Sequence, residues 1–161
     1  VGVGRSLGLT GVWADGGTPQ RGSVNEIQLR EYASSLVPSL TDKDPVIAHT
    51  AMQVLRQLGV AEPCLAVVDT TGASPAERTA ALRVLYGIHR SDVVDALIQR
   101  LASESNFERR QGLITALARL HFAEGAWKGD SWGTRPDTRG PFYQPEEWSE
   151  TPNILAALSA A

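Results

Sequence analysis

The sequence lacks most of the features that mark cross-linked or membrane-spanning proteins. It contains a single cysteine, Cys64, so no disulfide can form within the chain. Because Cys64 lies in the apolar run PCLAVV, we predict a small buried side chain rather than a nucleophile. No apolar run approaches the roughly 20 residues that span a bilayer, so membrane insertion is not expected.

Motifs of metal, haem and nucleotide sites are missing too. The chain has no HExxH, paired-cysteine, CxxCH, nucleophile-elbow or Walker sequence. We therefore predict no cofactor, metal ligand or catalytic residue, and we expect that this chain is not an enzyme on its own. A hydrolase that uses Asp137 in a loop near Asp130 is a remaining alternative, although two aspartates at that spacing are a common pattern.

A basic excess is also absent. Fifteen Lys and Arg face 18 Asp and Glu, which gives a net charge of -3 and disfavours nucleic-acid binding. With 42% hydrophobic and 20% charged residues, the composition is typical of one soluble globular domain. The chain opens on Val1 with no basic segment ahead of an apolar stretch, so we expect an excised or processed piece of a longer protein.

Residues 1–22 show no helical period. They contain seven glycines and end in the turn-like GGTP, so we predict an irregular lead-in. The glycine spacing in GVGRSLG suggests a phosphate loop at first sight. Neither a following lysine nor a clear preceding strand supports that interpretation.

From residue 23 onward apolar residues recur at helical spacing, and an internal repeat begins. Three segments align without gaps: DPVIAHTAMQVLRQL at 44–58, SPAERTAALRVLYGI at 74–88 and NFERRQGLITALARL at 106–120. Each opens on an N-cap residue, Asp44, Ser74 or Asn106. Pro45 and Pro75 follow at the first helical position, where a missing N–H costs nothing. Apolar residues then recur at i, i+3, i+4 and i+7, which predicts three equivalent amphipathic helices.

The segments between these copies supply partner helices. They are EIQLREYASSLVPSL, AEPCLAVVDTT and DVVDALIQRLAS, and the middle one is predicted to form only one or two turns. The copies start 30 and then 32 residues apart, at 44, 74 and 106. A unit of that length cannot bury its apolar face alone, so we predict an all-α fold, a right-handed α-solenoid of about three helical hairpins at 23–121.

This repeat resembles the HEAT family in its short, HEAT-like form. The resemblance covers residues 24–121 and depends on the N-cap, the following proline and the Ala-x-x-x-Leu-x-x-Leu spine of the second helix. One departure is that Arg78 and Arg110 stand where the first copy has Ala48. The resemblance implies an adaptor or scaffold that binds a protein partner, either a neighbouring domain of its parent chain or a separate subunit.

The period stops after Leu120, and residues 122–151 differ in composition. They hold three of the four tryptophans and four glycines. Because these aromatic rings offer large apolar areas, we predict an ordered loop wrapped against the helices rather than disorder. Residues 152–161, within TPNILAALSAA, are predicted to form a terminal helix that starts a further hairpin.

The loop sequence WKGDSWGTRPDTRGPFYQPEEW also resembles a segment of large secreted or periplasmic multidomain proteins of planctomycetes and verrucomicrobia. In those proteins HEAT-like repeats are joined to a sugar-dehydrogenase-like β-propeller and often to a c-type haem domain. The resemblance implies a bacterial source, a periplasmic or secreted location and a parent protein that is an oxidoreductase.

Two interpretations of the loop remain open. In one, the tryptophans cover the open end of the helical core. In the other, the loop binds a sugar, another small ligand or a neighbouring domain in support of an attached sugar-dehydrogenase-like domain. The candidate binding residues are Trp127, Asp130, Trp132, Arg135, Asp137, Tyr143 and Trp148.

His89 and His121 fall at equivalent positions after the second and third helical spines. We predict that both interact with the unpaired carbonyls at the ends of their helices, with no catalytic role.

Overall fold

The computed structural model describes residues 25–126, 142 and 144–161, and this part of the chain is mostly helical. The predicted lead-in, residues 1–22, lies outside the described residues. Seven α-helices occur in the described ranges, with one 3-10 helix, Val37–Thr41, after the first of them. The helices are α1 Glu26–Leu36, α2 Pro45–Leu58, α3 Glu62–Asp69, α4 Pro75–Leu85, α5 Ser91–Ser103, α6 Phe107–Leu120 and α7 Thr151–Ser159.

The three predicted N-caps are confirmed. The Asp44 carboxylate accepts a bond from the Val46 N–H at 2.8 Å, and the Asn106 side chain accepts one from the Arg109 N–H at 3.0 Å. Ser74 forms a full capping box, since its hydroxyl accepts from the Glu77 N–H while the Glu77 carboxylate accepts from the Ser74 N–H at 2.7 Å. These bonds to Ser74 hold the pKa of Glu77 below its usual value.

Of the three aligned copies, those of α2 and α6 end where predicted, whereas α4 ends three residues early. Helix α2 stops at Gly59, whose φ of 66° is one that side-chain-bearing residues rarely adopt. Helix α3 is short, as predicted, at eight residues. Helix α4 ends at Leu85, so Ile88 lies beyond it, although Ile88 is still buried.

The predicted apolar stripe forms the core of the described region. Ten of its twelve members are buried, and the other two, Val54 and Leu58, are partly exposed. The buried members are Ala51, Leu55, Ala81, Val84, Leu85, Ile88, Leu113, Ala116, Leu117 and Leu120. The helical period therefore identified the buried face correctly.

Helices adjacent in sequence pack as pairs: α1 and the 3-10 helix with α2, α3 with α4, and α5 with α6. We call α1, α3 and α5 the first helices and α2, α4 and α6 the second helices. The second helices contact one another in chain order. Helix α7 packs against α6 and α5 and buries Ile154 completely.

Arg78 and Arg110, the departures from a constant polar face, have the same role. Arg78 Nη2 donates to the carbonyls of Thr70 and Thr71, at 2.6 and 2.9 Å, where α3 ends. Arg110 Nη1 donates to the carbonyls of Leu101 and Glu104, at 3.0 and 3.4 Å, where α5 ends. Each arginine therefore donates to carbonyls at or just beyond the end of the first helix in its own pair.

The predicted loop at 122–151 contains a structural element that the all-α prediction missed. Strands β1 Ala123–Glu124 and β2 Pro145–Glu146 form an antiparallel pair. The terminal helix α7 then begins at Thr151, one residue before the predicted start. Across the described ranges, every helix is too short or too polar to cross a bilayer.

Candidate interaction surfaces

Most of the predicted loop site lies outside the described residues. Trp127, Asp130, Trp132, Arg135, Asp137 and Tyr143 belong to that undescribed part, so their role as binding residues stays a prediction. Trp148 is the one member that the structure describes.

Trp148 ties the loop exit to the end of α6. Its indole N–H donates to the Leu120 carbonyl at 2.7 Å, and the partly buried ring packs against the core. The Thr151 hydroxyl donates to the His121 carbonyl at 2.7 Å and accepts from the Trp148 N–H at 3.0 Å. These bonds satisfy carbonyls that α6 leaves unpaired. Whether the loop as a whole covers the helical core stays a prediction, since its other tryptophans lie outside the described residues.

The prediction for His89 is wrong in its partner. Its Nε2 donates to the carbonyl of Phe122, which follows α6, at 2.8 Å, rather than to a carbonyl of its own helix α4. The ring also meets Trp148 edge-on with centroids 5.2 Å apart, and Phe142 at 6.1 Å. His89 therefore links the α3–α4 pair to the α5–α6 pair.

His121 also differs from its prediction. Its ring lies against Phe122 with centroids 4.2 Å apart, and its buried Nε2 has no hydrogen-bond partner within the described ranges. In the same part of the chain, no three His, Cys, Asp or Glu side chains lie close enough to hold a metal ion.

Cys64 is fully buried on α3, which confirms its prediction as a core residue. Burial raises the pKa of the Cys64 thiol to about 11, because the thiolate would lose its hydration. Nucleophilic chemistry requires the thiolate, so this residue is chemically protected.

Charge is unevenly distributed between the two sets of helices. The first helices carry six acidic and two basic residues, a formal charge of -4, whereas the second helices carry two acidic and six basic residues, a formal charge of +4. Both acidic residues of the second helices, Glu77 and Glu108, lie in the first turn. The remainder of each second helix is therefore free of carboxylates.

Two arginines from the second helices converge on one tyrosine, and a third lies beside them. The Arg56 guanidinium lies over the Tyr86 ring, 5.2 Å from its centroid, and that of Arg119 lies 6.0 Å away. Arg56 also donates to the main-chain carbonyl of Arg83, whose side chain is exposed. We call Arg56, Arg83, Tyr86 and Arg119 the arginine–tyrosine strip.

A shallow groove lies beside this strip, between α2 and α4. Its volume is about 290 Å³, and Arg83 belongs to both the groove and the strip. The other lining residues are Leu40, Pro45, Ala48, His49, Met52 and Ala80. The groove is therefore mainly apolar, with the Arg83 side chain at one edge.

A larger cleft of about 450 Å³ separates the second and third pairs. Most of its charges are neutralised within the protein, since Arg100 makes a bidentate pair with Asp69 and Arg109 lies 3.9 Å from Glu104. The cleft consequently offers less unpaired charge than the arginine–tyrosine strip.

Sequence reasoning missed the arginine–tyrosine strip. Arg56, Arg83 and Arg119 each stand in the last turn of a second helix, although they occupy different positions in the aligned copies. Such arginines are also typical of ordinary helix ends, because a cation is favourable near the terminal carbonyls. Only the packing shows that two of them share Tyr86.

A scan against protein-family models, a search of curated proteins and a search of solved structures found no match to this chain.

Proposed function

We propose that this chain is a stack of HEAT-like helical hairpins and acts as a non-catalytic protein-interaction or scaffolding module of a larger multidomain protein. Its partner would be a neighbouring domain of the parent chain or a separate subunit. The proposed binding surface is formed by the second helices, α2, α4 and α6.

The observation that carries the proposal is a set of contacts made one repeat apart. Four side-chain bonds join residues separated by 31 to 33 positions, close to the offsets of 30 and 32 between the aligned copies. They are Arg30 to Glu62, Arg90 to the Gly59 carbonyl, Arg100 to Asp69, and His89 to the Phe122 carbonyl. Regular contacts between neighbouring units are what a solenoid requires.

Equivalent roles at aligned positions support the same architecture. The N-caps Asp44, Ser74 and Asn106 match one another, and so do Arg78 and Arg110 at the ends of the first helices. A stacked array leaves one extended face formed by the second helices, and such faces are common binding surfaces in repeat proteins.

The charge difference supports the choice of face. The second helices combine an apolar groove with arginines that have no carboxylate partner among the described residues. The first helices instead join neighbouring pairs through Arg30–Glu62 and Asp69–Arg100. Arginine and aromatic side chains contribute strongly at protein interfaces.

A peptide-display selection followed by NMR would test the proposal. Peptides that bind the folded protein should shift the amide resonances of α2, α4 and α6 while leaving those of α1 and α5 largely unchanged. Failure to obtain any binding peptide, or peptides that shift only the first helices, would contradict the proposed function.

The carbohydrate alternative has a separate test. At Trp148 it is weakened, because the indole N–H is already bound to the Leu120 carbonyl and the ring is partly buried. A glycan array combined with a tryptophan-fluorescence titration would decide: sugar binding lost in Trp127→Ala or Trp132→Ala would favour the alternative over the scaffold proposal.

A further inference from the structure

The Arg56 side chain is held in one position by three contacts to two neighbours, Arg83 and Tyr86. Its Nε donates to the Arg83 carbonyl at 3.2 Å, its Nη2 donates to the same oxygen, and its guanidinium lies over Tyr86. Within the described part of the chain, Nη1 has no acceptor. Arg56 is therefore preorganised with a free donor, which lowers the ordering cost of binding an anionic group.

Gly87 provides the space for this arrangement. A Cβ at residue 87 would lie 2.4 Å from Arg56 Nε and 2.7 Å from its Cδ, closer than atoms can approach. The conflict involves the far end of a flexible side chain, so alanine at this position would displace Arg56 without requiring a backbone change. Gly87→Ala would consequently move the Arg56 guanidinium while leaving its positive charge in the protein.

The positive charge of the arginine–tyrosine strip is not neutralised by any described residue. Arg56, Arg83 and Arg119 form no ion pair with any residue that the structure describes, whereas Arg30, Arg90, Arg100 and Arg109 each have a carboxylate partner. Arg78 and Arg110 also lack a carboxylate partner, but they donate to carbonyls at the ends of α3 and α5. An external carboxylate could pair with Arg56, Arg83 and Arg119 at one surface.

The neighbouring groove adds a requirement for apolar groups. Ala48, Met52 and Ala80 line it, and Arg83 connects it to the strip. A ligand that covers both features needs an apolar side chain next to anionic groups. That combination describes an acidic peptide with interspersed leucine or similar residues.

We propose that the second-helix surface binds an acidic, partly apolar peptide segment of its partner. An apolar side chain enters the α2–α4 groove, and flanking carboxylates bind Arg56, Arg83 and Arg119. This inference rests on the proposed interaction function and specifies the chemistry of the partner. A nucleic acid is disfavoured, because the whole chain has a net charge of -3 and the first helices carry six carboxylates.

Three fluorescein-labelled peptides of equal length provide the test. One alternates glutamate with leucine, the second replaces every glutamate with glutamine, and the third replaces every glutamate with lysine. Anisotropy titrations at low and moderate salt should show that the glutamate peptide binds at least about tenfold more tightly than the others, with affinity falling as salt rises.

Four variants locate the site. Arg56→Gln and Arg119→Gln should each weaken the glutamate peptide by roughly tenfold, the loss expected for a charge-assisted hydrogen bond. Gly87→Ala should weaken it by a similar order although net charge is unchanged. Arg30→Gln, an equal charge change on a first helix, is the matched control and should have little effect. Circular dichroism and thermal unfolding confirm that each variant is folded. If Arg56→Gln does not fold, Arg56→Lys replaces it.

The outcomes distinguish this inference from the proposed function. Equal affinity for the glutamate and glutamine peptides, equal weakening by Arg30→Gln, or tighter binding of a single-stranded oligonucleotide would overturn the inference. If selected neutral peptides still bind the second helices, the interaction function survives that failure. If no peptide of any composition binds, both proposals fail.

Discussion

The first and second helices of this protein are stabilised by different means. Each second helix begins at a side chain that caps its free N–H groups, Asp44, Ser74 or Asn106. Among the first helices only α1 has such a cap, from Asn25, while α3 and α5 begin without a side-chain bond. The second helices are therefore specified locally, and α3 and α5 depend more on their neighbours.

The two sets also differ in their charges. Carboxylates of the first helices pair with arginines of adjacent pairs, as in Arg30–Glu62 and Asp69–Arg100, whereas the last-turn arginines of the second helices stay unpaired within the described ranges. The contrast indicates that ion pairs join the first helices of neighbouring pairs, whereas the second helices contact one another without them in the described ranges.

The largest expected effect is a loss of stability when a fully buried leucine of α4, rather than a partly exposed leucine of α3, is replaced. Leu85→Ala removes a fully buried side chain from α4, and we expect the free energy of unfolding to fall by about 2–5 kcal/mol. Leu65→Ala on the partly exposed face of α3 should cost only about 1 kcal/mol. Urea unfolding measures both, and equal losses would contradict the central position of α4.

The second prediction concerns the local caps. Ser74→Ala removes the side-chain half of the capping box of α4 and should lower the free energy of unfolding by about 1 kcal/mol, since the Glu77 N–H loses its acceptor. Thr79→Ala, an exposed site in the same helix, is the control and should change the stability by less than about 0.5 kcal/mol. A control change as large as that of Ser74→Ala would show that the cap is not decisive.

The third prediction concerns the ion pairs between first helices. A double-mutant cycle with Asp69→Asn and Arg100→Gln should give a coupling energy of about 0.5–1 kcal/mol that decreases with added salt. The same cycle on the more exposed Arg30 and Glu62 should give about 0.3 kcal/mol. A salt-independent coupling would indicate that packing, rather than charge, joins these helices.

The smallest effect at neutral pH concerns Cys64 on α3. Because burial raises its pKa to about 11, the folded state retains the thiol proton at pH values where the unfolded chain releases it. The free energy of unfolding should consequently fall as pH rises above the ordinary thiol pKa, and Cys64→Ala should remove that part of the slope.

A thiol reagent provides the independent measurement for Cys64. Native protein should react at pH 8 only as fast as it opens, and denatured protein should react immediately. Rapid labelling of the native state would contradict the burial of this residue.

The sequence predicted the helices well and the surfaces poorly. The copies at 44–58, 74–88 and 106–120 correspond to α2, α4 and α6, because caps and apolar periods operate within one or two turns. The short β1–β2 pair was missed, since two-residue strands leave almost no periodic pattern. The partner of His89 was predicted wrongly. The prediction considered only the carbonyls of its own helix, whereas the observed acceptor is the Phe122 carbonyl, 33 residues away.

What the sequence by itself determined is the set of interactions between residues close along the chain: the N-caps, the first-turn prolines and the buried stripe of each second helix. Tertiary structure alone decided the long-range contacts, such as Arg100 with Asp69 and the pairing of Arg56 and Arg119 with Tyr86. The physical reason is separation. A cap acts across two or three residues, whereas these contacts exist only when packed helices bring residues about 30 positions apart into reach.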